Sequence, residues 1–167
     1  AGMHLRRNTR LNCYNSVVAG WPIGLILDSE KGNTQKAATD GLLQLHRIVF
    51  AGTDLTGSDF NKVYKDELYD YKTKTTDPSK KSFSSMFFLL PANGNKVVDQ
   101  WVARSWQGIQ SIIAASTSVG GALQGSFAEL QSNNWFDKSA TFVGAFRDAS
   151  DDWTAGWANF DPENTIY

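Results

Sequence analysis

The sequence predicts a mainly β protein built as a parallel β-helix, on three observations. Residues 11–20 read LNCYNSVVAG and residues 43–52 read LQLHRIVFAG, a gapless repeat offset by 32 positions. Between the copies Ile23, Leu25 and Leu27 alternate with other residues, the period of a strand. Near its end the chain reads DDWTAGWANFDP, with only ENTIY after it, which places two tryptophans and a phenylalanine where chains usually fray. Repeated β units point to stacked coils, and stacked coils need a terminal cap.

The elements follow in order. The copies share Leu11/Leu43, Val17/Val49, Ala19/Ala51 and Gly20/Gly52, while Cys13/Leu45 and Val18/Phe50 match in apolar character. Each reads as a strand ending in a glycine turn, and like strands stack with equivalent side chains above one another. The strand around Leu25 is followed by a polar loop from Lys31 to Asp40, which accounts for a repeat longer than one bare coil. Phe60, Val63, Tyr64, Leu68 and Tyr71 fall at helical spacing, with Ser58 or Asp59 as cap, and predict a short amphipathic helix followed by a flexible tip at TKTTDPSKK. SFSSMFFLL is apolar up to Pro91. Val97, Val98, Trp101, Val102, Trp106 and Ile109 predict a second helix, and STSVGGALQGS a loop. Thr141–Phe146 reads as a last short strand. The organisation expected is coils over 1–52, a helical insertion and loops over 53–125, and the last strand with its aromatic cap over 126–167.

Composition narrows the function. At 167 residues the chain is one domain with room for a core. Sixteen basic and 17 acidic residues give a net charge of −1, which is no footprint for nucleic acid. One cysteine, Cys13, excludes an intramolecular disulfide. No apolar run reaches the roughly 18 residues of a membrane span, and AGMHLRRNTR has no apolar signal region. Because patterned sequence begins at once, the chain reads as a fragment of a longer β-helix. Such a fragment exposes a coil edge near Leu5 and is expected to need its upstream half or self-association.

Two blocks carry a resemblance. The first is HLRRNTRLNCYNSVVAGWPIGLILD, with Arg6, Arg7, Asn8, Arg10, Leu11, Asn15, Ser16, Gly20, Trp21, Pro22, Gly24 and Leu25 in the matching positions. The second is the tail, with Phe142, Gly144, Ala145, Phe146, Trp153, Gly156, Trp157, Asn159, Phe160, Pro162 and Tyr167. Together they resemble the C-terminal part of right-handed parallel β-helix proteins that are surface or outer-membrane lipoproteins of Bacteroidetes-type bacteria. The resemblance covers about the first third and the last fifth of the chain; residues 53–125 stand outside it. It implies a bacterial outer-membrane, cell-surface location, a lipid-modified cysteine upstream that is not Cys13, and partners consisting of the upstream half of the β-helix and a glycan or outer-membrane protein.

Phe146, Trp153, Gly156, Trp157 and Phe160 are then expected to form the structural cap, with a carbohydrate platform as the functional alternative. Trp21, Tyr64, Tyr69, Trp101 and Trp106 are the candidate ligand-binding aromatics, which fit recognition and sealing of the insertion equally. Chemistry is sparse. His46 alternates with Leu43 and Leu45 and is expected on the solvated outer face. Cys13 shares the inward position of Leu45 and is expected as a small buried apolar residue. Arg6, Arg7, Arg10 and Arg47, with Asp28 nearby, are expected to pair with carbonyls or acids between coils. No cofactor is expected, apart from a weak calcium candidate at Asp148, Asp151 and Asp152, which reads first as a solvated acidic loop. The expected function is a non-catalytic surface protein binding a glycan or an envelope protein. The alternatives are a polysaccharide lyase or hydrolase with its active site upstream, and a structural accessory subunit of an outer-membrane transporter.

Overall fold

Strands of only two to four residues, paired side by side, organise the chain. In the computed structural model the described residues are 1–21, 23–52, 69–70, 75–76, 82–98, 109–135, 137–160 and 162–165, with backbone alone at 69–70, 75–76 and 109–111. The elements are β1 (Met3–Arg6), β2 (Asn12–Tyr14), β3 (Val17–Ala19), β4 (Leu25–Asp28), α1 (Thr34–Thr39), β5 (Gln44–His46), β6 (Val49–Ala51), β7 (Tyr69–Asp70), β8 (Thr75–Thr76), α2 (Phe83–Phe88), β9 (Lys96–Val98) and α3 (Ile109–Gly120).

The repeat becomes strand pairing. β2 lies parallel to β5 with Cys13 opposite Leu45, and β3 lies parallel to β6 with Val17 opposite Val49. Each copy is two strands, not one, because Asn15 and Arg47 take left-handed backbone angles (φ 48° and 54°) and turn the chain between them. Asparagine visits that region cheaply; arginine there needs outside support. β1 pairs with β4, and β9 adds a third strand to β3–β6.

The parallel β-helix expectation is overturned. Among the described residues the parallel sheets hold two or three strands, helices α1, α2 and α3 are interleaved with them, β7 and β8 pair antiparallel, and no solenoid forms. The fold is mixed α/β. One repeated pairing satisfies parallel geometry with a single crossover, here through α1, whereas a solenoid needs the unit to recur. β9 joins the sheet without carrying the repeat.

The main core gathers Leu25, Leu27, Leu43, Leu45, Ile48, Phe50 and Phe88. All four residues of β4 are buried, so both of its faces are covered, in part by α2 and α1. The Phe50 and Phe88 rings meet at 4.7 Å and 55°, the tilted contact that aromatic quadrupoles favour. Ser82 caps α2 through Ser85 N–H, and Ser84 Oγ accepts the buried N–H of Leu27 at 2.7 Å. A second cluster of Val49, Ala51, Val119 and Val143 joins β6 to α3 and the tail.

Several local expectations change with the fold. The polar loop at 31–40 contains α1, whose buried side is Thr34, Ala37 and Ala38; residues so small and polar leave no hydrophobic period to read. Val97 and Val98 lie in β9, and a described helix begins only at Ile109. That helix runs through STSVG to Gly120, because Ile113, Ser116 and Val119 share one buried side. Thr141–Phe146 is not a strand: Gly144 (φ 103°) breaks the extension, and the segment bonds singly to Gly125 and Asn15. At the end of the predicted helix near 58–71, Tyr69–Asp70 is a strand; the rest of that helix lies outside the described residues.

Candidate functional site

Two places in the fold gather side chains capable of chemistry or recognition. The first is where the repeat turns. Tyr14 and His46, partners in β2–β5, stack at 5.4 Å and 10°. Arg47 follows His46, and its Nε donates to Asn15 Oδ1 (3.0 Å) and to the Ser126 carbonyl (2.8 Å). Its terminal nitrogens hold both oxygens of Glu129 as a bidentate pair. Those hydrogen bonds, against the opposing cost of burial, draw the Glu129 carboxyl down to about 2. Burial pushes the Tyr14 hydroxyl up and holds the His46 imidazole below its ordinary value.

The arrangement is a clamp, not a catalytic set. His46 Nδ1 stands 3.6 Å from Glu129 Oε1, beyond hydrogen-bond length, and both carboxylate oxygens are committed to Arg47. The buried Nδ1 of His46 and Nδ2 of Asn15 have no hydrogen-bond partner among the described residues. His46 is therefore half-buried against Tyr14, not on a solvated face. Arg47 thus pairs with a carbonyl and an acid, as expected of it, but across to residues 126–129 and not between coils. Near β1, Asp28 is 3% exposed, accepts from Glu30 N–H and lies 3.0 Å from His4 Nε2, with Arg6 Nε at 3.9 Å. Burial would raise the Asp28 carboxyl; the Glu30 N–H, His4 and Arg6 outweigh it and set it below its ordinary value. Cys13 is half-buried against the core, with its Sγ 3.4 Å from Ser16 Oγ.

The second place is the aromatic tail. Phe146, Trp153 and Trp157 stack in sequence, with centroids 6.0 and 5.5 Å apart and planes within 29°. Phe146 is buried, Trp153 is 53% exposed and Trp157 69% exposed. The Trp153 indole N–H donates to the Ala145 carbonyl (2.8 Å), and that of Trp157 to the Trp153 carbonyl (2.9 Å). Their polar handles are spent on main chain, which fixes the rings while leaving their faces to solvent. Gly156, at φ 86°, makes the turn between the two indoles, and Phe160 is half-buried.

Beside the stack lies a cleft of about 370 Å³ between the end of α3, the 122–124 loop and residues 141–147, with Phe146 in its wall. Two glycines let these segments meet. A Cβ on Gly120 would fall 2.0 Å from the Val143 carbonyl oxygen, and one on Gly125 2.4 Å from that of Phe142. Arg147 lines the cleft with its guanidinium over the Phe142 ring at 5.8 Å.

The remaining candidates scatter. Trp21 is exposed beside Gly2, and only the backbone of Tyr69 is described. Tyr64, Trp101 and Trp106 lie outside the described residues. The Asp148 and Asp152 carboxylates accept from Ser150 and Thr154, and Asp151 accepts from the N–H of Arg147, so all three bond to their own turns. Among the described residues no group of three or more His, Cys, Asp or Glu is placed to hold a metal ion, and no helix is long and apolar enough to cross a membrane. Trp135, 92% exposed, was given no role by the sequence pattern, and Glu129 gave no signal because its partner is 82 residues away. Comparison with family models, curated proteins and solved structures finds no match to this chain.

Proposed function

We propose that this protein is a non-catalytic binding protein whose ligand is a glycan, held on the exposed aromatic stack of the tail. The supporting observation is that Trp153 and Trp157 are more than half exposed while their indole N–H groups are tied to backbone carbonyls. Sugar C–H faces pack on such rings, and rings already held in place lose little freedom on binding. A pure cap would bury its indoles, as the same tail does Phe146. The cell-surface location, on a bacterial outer membrane, belongs to the same proposal and rests on the two sequence blocks.

The test is a panel of immobilised oligosaccharides followed by titration with tryptophan fluorescence. Trp157→Ala is expected to weaken binding about tenfold, the scale of one lost aromatic contact. Trp21→Ala, remote in sequence from the tail stack, is expected to leave affinity unchanged. No binding to any glycan, with capture of an envelope protein instead, would sink the reading.

A further inference from the structure

We propose that the cleft beside the aromatic stack takes an acidic sugar, its carboxylate seated on Arg147. This rests on the glycan reading above and names the ligand class within it. Among the described residues lining the cleft, Arg147 alone is charged and none carries a carboxylate side chain. The other polar side chains of the lining are Thr117, Gln124 and Thr141, suited to sugar hydroxyls. The volume, about 370 Å³, is at the small end of ligand pockets and suits one or two sugar rings.

Two neighbouring features oppose an anion, and each makes hydrogen bonds of its own. The C-terminal end of α3 carries partial negative charge. Its carbonyls at Thr117, Val119 and Gly120 accept from the N–H groups of Gly121, Ala122 and Leu123. The carboxylates of Asp148 and Asp151 lie outside the lining. Asp148 accepts from Ser150 and also feels the Arg147 charge, which an incoming anion would share, and Asp151 accepts from the Arg147 main chain. The Arg147 guanidinium lies over Phe142 at the cleft, 5.8 Å from the ring centroid, and a planar guanidinium can receive a carboxylate through two parallel hydrogen bonds. Phe146 then connects the two halves of the site. It forms wall for the cleft and base for the Trp153–Trp157 stack, so a saccharide whose acidic ring enters the cleft can lay a neighbouring ring along the indoles.

The experiment compares tri-galacturonic acid with its methyl ester, which removes the charge and adds a methyl group at each carboxyl, within a panel that also holds neutral oligosaccharides. The acid is expected to bind at least tenfold more tightly at low salt, with the gap narrowing as salt is added. Arg147→Gln is expected to abolish the gap, and Trp157→Ala to weaken acid and ester together. Equal binding of the pair, binding confined to neutral glycans, or a gap that survives Arg147→Gln overturns the acidic assignment and leaves the glycan reading standing. Silence across the whole panel removes both.

Discussion

Arg47 shows how much one side chain can settle. It occupies a left-handed backbone position that suits few residues, and its guanidinium compensates by joining Asn15, Ser126 and Glu129. Truncation to alanine keeps the awkward backbone and loses charge-assisted hydrogen bonds, so Arg47→Ala is expected to cost about 2–3 kcal/mol in denaturant unfolding. Glu129 adds a pH signature. Its carboxyl is held down at about 2 against an ordinary 4.5, so its contribution is fully present above about 4.5 and fades as pH falls towards 2. Stability measured from pH 6 to 2 should therefore fall less steeply in Glu129→Gln than in the parent. Partial exposure keeps this contribution to about 1 kcal/mol. A parallel loss in both proteins would show that the pair is screened out.

At the scale of elements, short strands survive because side chains carry part of their hydrogen bonding. Asn95 accepts from Ile48 N–H and donates to the carbonyls of Leu45 and Phe88, bridging β5, the residue before β6 and the end of α2. Asn95→Ala removes all three bonds and should cost about 3 kcal/mol, roughly 1 for each. Asn95→Asp keeps only the acceptor, so equal loss in the two variants would place the value in the donated pair. Strand register was legible in the sequence, because Leu11/Leu43 and Val17/Val49 mark the offset that β2–β5 and β3–β6 adopt. The helices were not. α1 buries only Thr34, Ala37 and Ala38, and the buried side of α3 includes Ser116. Sequence periodicity detects large apolar residues; α1 docks with small ones, and in α3 Ser116 interrupts the row of Ile113 and Val119.

Over the whole molecule, a single repeat was read as a solenoid when it specifies only a pair of parallel contacts. The tail's aromatics were visible in composition; their exposure was not, since it depends on indole N–H groups finding the carbonyls of Ala145 and Trp153. The cleft was invisible, being made where Gly120 and Gly125 admit the 141–143 backbone. Gly120→Ala should force those segments apart, weakening glycan binding and lowering the unfolding midpoint together. Among the described residues β1, β2 and β3 each have one partner strand, and open strand edges invite pairing between copies. Concentration-dependent association in light scattering is expected, reduced by Asn12→Lys on the exposed start of β2; a monodisperse parent at high concentration would count against it.

The bonds from Asn15 and Arg47 to Ser126 and Glu129 span 79 to 111 residues, and that span has a consequence in time. Contacts so distant in sequence must wait until the intervening chain has been gathered in, because closing a long loop costs entropy before the contact returns anything. Docking of residues 126–130 onto the strand turn should therefore be a late folding event, after β2–β5 and β3–β6 have met. Loosening that late contact leaves the folding barrier almost untouched and lowers the barrier to escape. Glu129→Gln should refold at close to the parent rate and unfold about fivefold faster, the kinetic equivalent of about 1 kcal/mol. A slowed refolding limb would instead place the clamp within the nucleus itself.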